Sequence, residues 1–267
     1  MPVAIVIVLI LTFVIYIVST LSYSVRIVGI KTGRIAISFA VFNIFSLIAR
    51  TANTIQAPLL SKSIEESIRV GQAGKFLYVF RWILALSTIG AIVGAILMPT
   101  FIKLFSKTVN SFSVYKSVPK LLVHSFSKAG IEQFKKSISK PKRENISQLK
   151  SLRRIPKKII ILNIMACSIS TVGVVAALYA GCLNPDLRTT CSNLAPVING
   201  AATILITIFI DPYTSMLTDD VIRGECSELQ FSRCIIFIVF GLILGTILAQ
   251  LLLVPAAMII ESIAKFI

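Results

Sequence analysis

Acidic side chains and histidine are scarce in this sequence. It has 11 Asp and Glu and one His in 267 residues, against 27 Lys and Arg. It also lacks a P-loop, an H-E-x-x-H helix, a G-x-S-x-G elbow and any cluster of His or paired carboxylates at catalytic spacing. These absences argue against ATP-driven transport by this chain alone and against hydrolytic enzymes. They also predict no metal site and no cofactor.

Charge of either sign is low, at 14% of residues, whereas 56% are hydrophobic. The mean hydropathy is +0.89. A soluble domain of this length needs more charge to cover its surface, so the composition predicts an integral membrane protein. The segment 103–158 holds fifteen Lys and Arg against two Glu. Because one basic cytoplasmic loop explains the high pI, we predict no nucleic-acid partner.

Long runs with few charges predict the spans. A spanning helix needs about 20 mostly apolar residues. The chain is therefore predicted to be all-α, a single transmembrane domain over 1–267. The first run lacks a basic n-region and a small-x-small site, so we interpret it as a span and not as a cleaved signal peptide. The six predicted helices cover about 2–22, 35–57, 78–103, 159–182, 193–211 and 233–260.

The basic segments predict the topology. The loop 104–158, between the third and fourth helices, is expected in the cytoplasm, as is the short basic stretch 26–34. Both termini of this multi-pass protein are then extracytoplasmic. Within the loop, 119–138 has the spacing of an amphipathic helix that binds anionic lipids. An ordinary basic loop is an equally good interpretation.

The second predicted helix carries a cation. Its polar residues Asn43, Ser46, Arg50, Asn53 and Thr54 fall within about a 100° arc, and Gln56 falls outside it. A charge at the bilayer centre costs about 2.5–3.5 kcal/mol, so such a side chain normally faces a bundle interior or a wet cavity. We interpret the arc as a cavity lining. The alternative is that the arginine extends outward to the membrane surface.

Further arginines flank this helix. Arg81 lies near the outer start of the third helix, and Arg26 and Arg34 lie on the inner side. Guanidinium groups suit forked contact with phosphate. The predicted binding set for an anionic lipid headgroup is thus Arg50, Arg81, Asn53, Asn43, Arg26 and Arg34. For Arg81 the alternative is a simple anchor beside Trp82 at the membrane surface.

Two smaller predictions concern acids and thiols. Asp211, Asp219 and Asp220, at the inner end of the fifth helix, are candidates for coupling to a proton or cation, unless they are merely solvated. Cys182 and Cys191 flank a short extracytoplasmic turn and could form a disulfide, unless they are two inert thiols. The small-xxx-small patterns at 90–94 and 241–245 predict close helix packing.

Two segments resemble the Amj family, the alternate lipid II flippases of bacteria. They are RIVGIKTGRIAISFAVFNIFSLIARTANTIQAPLL at 26–60 and INGAATILITIFIDPYTSMLTDDVIRGE at 198–225. The resemblance implies a transporter of the bacterial cell membrane, not an enzyme. Its cargo would be lipid II, an undecaprenyl-pyrophosphate-linked peptidoglycan precursor used in cell wall biogenesis. Such a headgroup calls for a polar, cation-lined groove that is open to the side. Six helices enclose little space for a headgroup of this size, so we expect a homodimer.

Other functions fit the same residues. A small-solute or ion transporter would depend more on Asp211 and Asn199 than on the arginines. A non-catalytic membrane scaffold for cell-wall synthesis would depend on the basic loop. An enzyme acting on polyprenyl phosphates is disfavoured by the missing catalytic clusters.

Overall fold

The computed structural model of this protein is a bundle of long α-helices. It describes residues 3–69, 74, 76–110 and 156–267, and these contain no strand. The all-α prediction is confirmed. The helices in these residues are α1 (Val3–Thr32), α2 (Ile35–Arg69), α3 (Phe76–Asn110), α4 (Lys157–Leu183), α5 (Arg188–Leu205), α6 (Asp211–Ile222) and α7 (Glu228–Phe266).

The described residues contain 6 helical segments long and apolar enough to cross a membrane. This number confirms the predicted six spans. The fifth, Pro185–Ile222, combines α5, α6 and a π-helical turn at Ile206–Ile210 that joins them. It is longer than the predicted 193–211, because Asp211 begins a further helix where a loop was expected. The Asp-Pro pair suits this position, since proline is tolerated in the first turn of a helix.

Other helices also pass their predicted bounds. α2 continues through Pro58 to Arg69, beyond the predicted end at residue 57. Neighbouring helices and hydroxyl side chains can satisfy the backbone groups that a proline frees in a membrane helix. Around the basic loop, α3 runs to Asn110 and α4 begins at Lys157. The proposed amphipathic segment 119–138 lies outside the described residues.

Local signals set the helix connections. Gly33, with φ of 66°, forms the turn between α1 and α2, and Gly224, with φ of 76°, follows the end of α6. Glycine adopts this left-handed conformation without the steric cost of a Cβ atom. Ser227 and Gln230 form a capping box at the start of α7. α1 and α2 therefore form an antiparallel hairpin.

The apolar core is divided between the two ends of the bundle. At the end that holds Val3, here the first end, the starts of α1, α3 and α5 pack with the ends of α2, α4 and α7. At the second end, which holds Thr32, the ends of α1 and α3 pack with the starts of α2 and α7. Buried residues of the first end include Val8, Leu60, Phe80 and Leu178, and those of the second end include Val28, Val41, Phe105 and Phe231.

Glycines bring two pairs of helices close together. Gly90 and Gly94 of α3 face α1, and Gly241 and Gly245 of α7 face α4. A Cβ atom on Gly90 would lie 2.6 Å from the carbonyl oxygen of Phe13. The predicted close packing at both small-xxx-small patterns is confirmed.

Candidate functional site

An ion pair with a buried cation joins α1 to α6. The side chain of Arg26 is 5% exposed, and its Nη2 donates to Oδ1 of Asp211 at 2.8 Å. Its Nη1 donates to Oγ1 of Thr214. The Asp211 side chain is 43% exposed. A buried cation is thus held by a carboxylate that can be reached from outside the bundle.

Two aromatic rings complete the surroundings of Arg26. Its Cζ lies 4.5 Å from the ring centre of Phe42 and 5.5 Å from that of Phe39, both on α2. Each ring face attracts the cation, by about 2 kcal/mol where water is excluded. The Nε atom is buried without a hydrogen-bond partner. The guanidinium therefore keeps donor capacity for a further acceptor.

The three acids proposed for coupling differ in their surroundings. Asp211 begins α6 directly after the π-helical turn. Asp219 is exposed, and Asp220 binds Arg223 at 2.8 Å. The hydrogen bond to Asp220 raises the pKa of Arg223 above its ordinary value. Of these three acids, Asp211 is the one that contacts a member of the predicted binding set, Arg26, within the described residues.

Arg81 joins α3 to α7. Its Nη1 donates to the backbone carbonyl of Gln250 and lies 3.3 Å from Oε1 of the same residue. In return, Nε2 of Gln250 donates to the carbonyl of Arg81 at 2.8 Å. The half-buried Arg81 cation is therefore solvated by the amide oxygens of Gln250.

The polar stripe of α2 lies mostly on its outer face, and Asn53 also borders an interior cavity between α1, α2, α3 and α4. Asn43, Arg50 and Asn53 are all exposed, as is Thr54, whose hydroxyl donates to the carbonyl of Arg50. Arg34 is half-buried in the turn between α1 and α2. Arg50 thus differs from Arg26 and Arg81, whose guanidinium groups donate hydrogen bonds to residues of another helix.

Neighbouring contacts fix the depth of each arginine. Gln56 binds Val8 and Thr12, and the ring of Phe42 lies 6.1 Å from that of Tyr23. Arg50, between these two points of α2, is therefore roughly level with the middle of α1.

Gly90 of α3 faces Phe13 of α1, and Arg81 lies nine residues before this glycine. At 1.5 Å per residue, Arg81 is about 15 Å nearer the first end than Arg50, and Arg26 is about 15 Å nearer the second end. Arg50 and Arg81 thus differ in depth along the bundle axis.

A small polar cavity lies between α1, α2, α3 and α4. Its volume is about 30 Å³, enough for one or two water molecules. Tyr16 donates to Thr171 at its wall at 3.0 Å, and Gln56 donates to Thr12 at 2.9 Å. The hydroxyl and amide side chains that line it are Thr12, Tyr16, Asn53, Gln56, Ser87, Ser170 and Thr171.

Sequence reasoning missed the buried part of this polar set. Gln56 was left out of the stripe because its helical angle differs from that of Arg50, yet it is 6% exposed and bonded to α1. The sequence signal for a buried Gln56 was the occurrence of an amide side chain in an apolar helix. Tyr16 and Thr171 carried no comparable signal, because hydroxyl side chains are common in membrane helices.

The cysteines and possible metal ligands remain separate from this site. Cys182 lies at the end of α4 and Cys191 in the first turn of α5, and both are free thiols in the structure. Their disulfide stays a prediction. The described residues contain no group of at least three His, Cys, Asp or Glu that could hold a metal ion.

Comparison with known proteins identifies the family. The family described as "Amj: Alternate to MurJ" matches residues 11–264. This chain belongs to the Amj family. A relative from Bacillus subtilis (strain 168), named "Lipid II flippase Amj", is 35% identical over 257 residues, which cover 93% of this chain and 92% of the relative. No solved structure matches the chain.

The site gives this Amj family member two kinds of cation. Arg26 is buried and paired with a carboxylate, whereas Arg50 is exposed at mid-depth. A buried, forked guanidinium can exchange one oxyanion for another, because phosphate and carboxylate oxygens accept the same hydrogen bonds. The arrangement therefore presents guanidinium donors of the kind that oxyanions accept.

Proposed function

We propose that this protein is a lipid II flippase, a transporter and not an enzyme. It moves the undecaprenyl-pyrophosphate-linked precursor of peptidoglycan from the inner to the outer leaflet. The observation that carries the proposal is the relative named "Lipid II flippase Amj", which is 35% identical over 93% of this chain. Membership of the Amj family and six apolar helices support the same function.

The proposed route follows the arginines. Arg26, Arg50 and Arg81 lie at intervals of about 15 Å along the bundle axis. Each can bind the pyrophosphate through a fork of N–H donors. Asn43 and Asn53 share the outer face of α2 with Arg50 and would bind the sugar hydroxyls. The headgroup would pass along this face while the polyprenyl tail stays in lipid.

The position of Arg50 supports this route. It is exposed and level with the middle of α1, at the depth where a cation facing acyl chains costs about 2.5–3.5 kcal/mol. A passing pyrophosphate, or a wet groove that admits it, offsets this cost. The exposed position is therefore understandable for a transporter of anionic headgroups.

The proposed orientation places the second end of the bundle in the cytoplasm and both termini outside. Arg34 and Arg26 would then receive the headgroup, and Arg81 would release it. Asp211 is the proposed coupling group, because it holds Arg26, with Asp219 and Asp220 further along α6. A homodimer and binding of anionic lipid by the loop 104–158 are further parts of the proposal.

A replacement experiment tests the function. This chain would serve as the only lipid II flippase of a bacterial cell, and lipid II at the outer surface would be measured with a membrane-impermeant label. We expect survival and surface lipid II. A chain that reaches the membrane without delivering lipid II would overturn the function. Ion flux in liposomes without lipid would favour the small-solute transporter instead.

Variants of one residue test the route. We expect Arg50→Gln to lower delivery about tenfold or more, since a hydrogen bond to a charged group contributes about 1.5–3 kcal/mol. Arg50→Lys keeps the charge without the fork and should be intermediate. The matched control is Arg69→Gln, which removes an exposed arginine from the end of the same helix. Normal delivery by Arg50→Gln would overturn the route but leave the function standing.

A further inference from the structure

The two halves of the chain are built in the same way. In the first half, α3 packs on α1 through Gly90 and Gly94. In the second half, α7 packs on α4 through Gly241 and Gly245. In both pairs the earlier glycine contacts an earlier residue of the partner helix than the later glycine does. The two helices of each pair are therefore parallel.

The matching contacts have matching sequences. The stretches GAIVGAIL at 90–97 and GLILGTIL at 241–248 share the pattern G-x-I-x-G-x-I-L. Phe80 and Phe231 each precede the first glycine by ten residues, and they are 0% and 1% exposed. The third span of each half therefore uses the same residues for the same packing.

The partner helices match as well. Gly90 and Gly94 face Tyr16 and Thr20 of α1, four residues apart. Gly241 and Gly245 face Asn163 and Cys167 of α4, also four residues apart.

The hairpins that follow these helices are also alike. Gly29, near the end of α1, faces Ser38 in the first turn of α2, and Gly181, near the end of α4, faces Arg188 at the start of α5. α1, α2 and α3 thus correspond to α4, the composite fifth span and α7.

The two halves run in opposite directions. Residues from the start of α1 and the end of α4 share the core of the first end, including Val8 and Leu178. Three spans per half produce this inversion, because an odd number of crossings leaves the chain on the other side. In transporters built from inverted repeats, the cargo path lies between the repeats, and one repeat rocks against the other.

Polar contacts between the halves occur at three levels. At the first end, Arg188 of α5 binds Glu65 of α2 at 3.3 Å. Arg81 and Gln250 bind each other between the first end and the middle of the bundle. At mid-depth Tyr16 donates to Thr171, and nearer the second end Arg26 binds Asp211.

We infer that α1–α3 and α4–α7 are inverted repeats whose interface opens alternately at its two ends. Glu65–Arg188 and Arg81–Gln250 close the first end, and Arg26–Asp211 closes the second. The inference rests on the proposed function for its cargo, whereas the repeat itself and the closing contacts do not depend on it. It assigns a gating role to Glu65, Arg188 and Gln250.

The geometry explains why the two ends would alternate. Arg81 and Arg26 lie about 13 and 15 Å from the level of Tyr16 along the helix axes, on opposite sides. If one half rotates relative to the other about the level of Tyr16 and Thr171, the halves separate at one end of the bundle and press together at the other. Because each closing contact includes a cation, an opened end needs water or an anion beside it.

A reporter cysteine in the central cavity tests this inference. We would place Ser87→Cys in a variant without the five native cysteines and measure its labelling by a membrane-impermeant maleimide, in intact cells and in inside-out vesicles. Asp211→Asn should raise labelling from the second end about tenfold. Glu65→Gln should raise labelling from the first end about two- to fivefold, because this pair is more exposed. Each change should lower labelling from the opposite side.

Matched controls break ion pairs that do not join the halves. Glu261→Gln removes a pair with Lys265 within α7, and Glu225→Gln removes a pair with Arg223 beside α6. Neither should change labelling. A second arm links Glu65→Cys to Arg188→Cys with a bifunctional thiol reagent, which should stop labelling from the first end.

The outcomes separate the gates from the cargo. Equal labelling in all variants, or increases on both sides at once, would overturn the inference even where lipid II is delivered. Reciprocal labelling without delivery of lipid II would support the gates and overturn the proposed function. Thermal unfolding of each purified variant shows that the labelled protein is folded.

Discussion

The pair Arg26–Asp211 predicts an unequal response to the loss of each partner. Arg26 is 5% exposed and Asp211 is 43% exposed. Asp211→Asn keeps the side-chain shape but leaves a buried guanidinium without a carboxylate. Arg26→Gln instead leaves a carboxylate that water can reach. The first substitution should therefore be the more destabilising, although both remove the same ion pair.

The magnitudes follow from these exposures. Leaving a buried charge uncompensated costs about 3–5 kcal/mol, and we expect about 3 kcal/mol for Asp211→Asn, because Phe42 and Thr214 still attract the cation. For Arg26→Gln we expect about 1 kcal/mol, since a partly exposed carboxylate is hydrated. The double variant buries no charge and should be more stable than Asp211→Asn.

Thermal unfolding of the purified protein in detergent would measure these differences. Cys167, Cys191 and Cys234 are buried, so a thiol-reactive dye reports their exposure on unfolding. At about 2–4 °C per kcal/mol, Asp211→Asn should lower the midpoint by about 6–12 °C and Arg26→Gln by about 2–4 °C. Equal losses, or a larger loss for Arg26→Gln, would refute the reasoning that burial of the cation decides the cost.

Two further predictions concern helix packing and a buried hydrogen bond. Gly245→Ala should destabilise the protein by about 1–3 kcal/mol, because the added Cβ would lie 2.7 Å from the Cβ of Cys167. The control is Gly200→Ala, whose Cβ would have no atom within 4 Å and which should be neutral or stabilising by up to about 1 kcal/mol. Thermal midpoints of the two variants check this, and a stable Gly245→Ala would contradict the close packing. Gln56→Leu should lower stability by about 1–3 kcal/mol by leaving Thr12 without its amide donor, and an unchanged midpoint would show that the bond contributes nothing.

The spans could be predicted from the sequence because hydropathy is averaged over long windows. The six runs of few charges correspond to 6 spanning segments of the structure. Helix bounds were less accessible, since Pro58 and Asp211 are local signals whose effect depends on neighbouring helices. The small-xxx-small patterns predicted close packing but not the partner helices.

The site was only partly accessible for a related reason. Helical periodicity placed Arg50 and Asn53 on one face of α2, but periodicity does not tell which face meets α1. Gln56, which lies outside that arc, is on the buried face. The pairing of Arg26 with Asp211 spans 185 positions of the sequence, and no local pattern encodes it. Both residues were nevertheless in the predicted set, because charges in apolar helices are few.

The size of the interior cavity bears on how cargo would pass. Its volume is about 30 Å³, whereas sites for small molecules are usually about 300–1,000 Å³. A sugar–peptide pyrophosphate cannot enter this closed bundle, so the proposed route requires the halves to separate or the headgroup to follow the outer face of α2.

Separation at the second end withdraws Asp211 from Arg26 and leaves a buried cation, which is costly unless another oxyanion replaces the carboxylate. A pyrophosphate is such an oxyanion. In the proposed cycle the cargo therefore lowers the cost of the opening that admits it. We expect soluble pyrophosphate, supplied at the second end, to raise labelling of the Ser87→Cys reporter from that side.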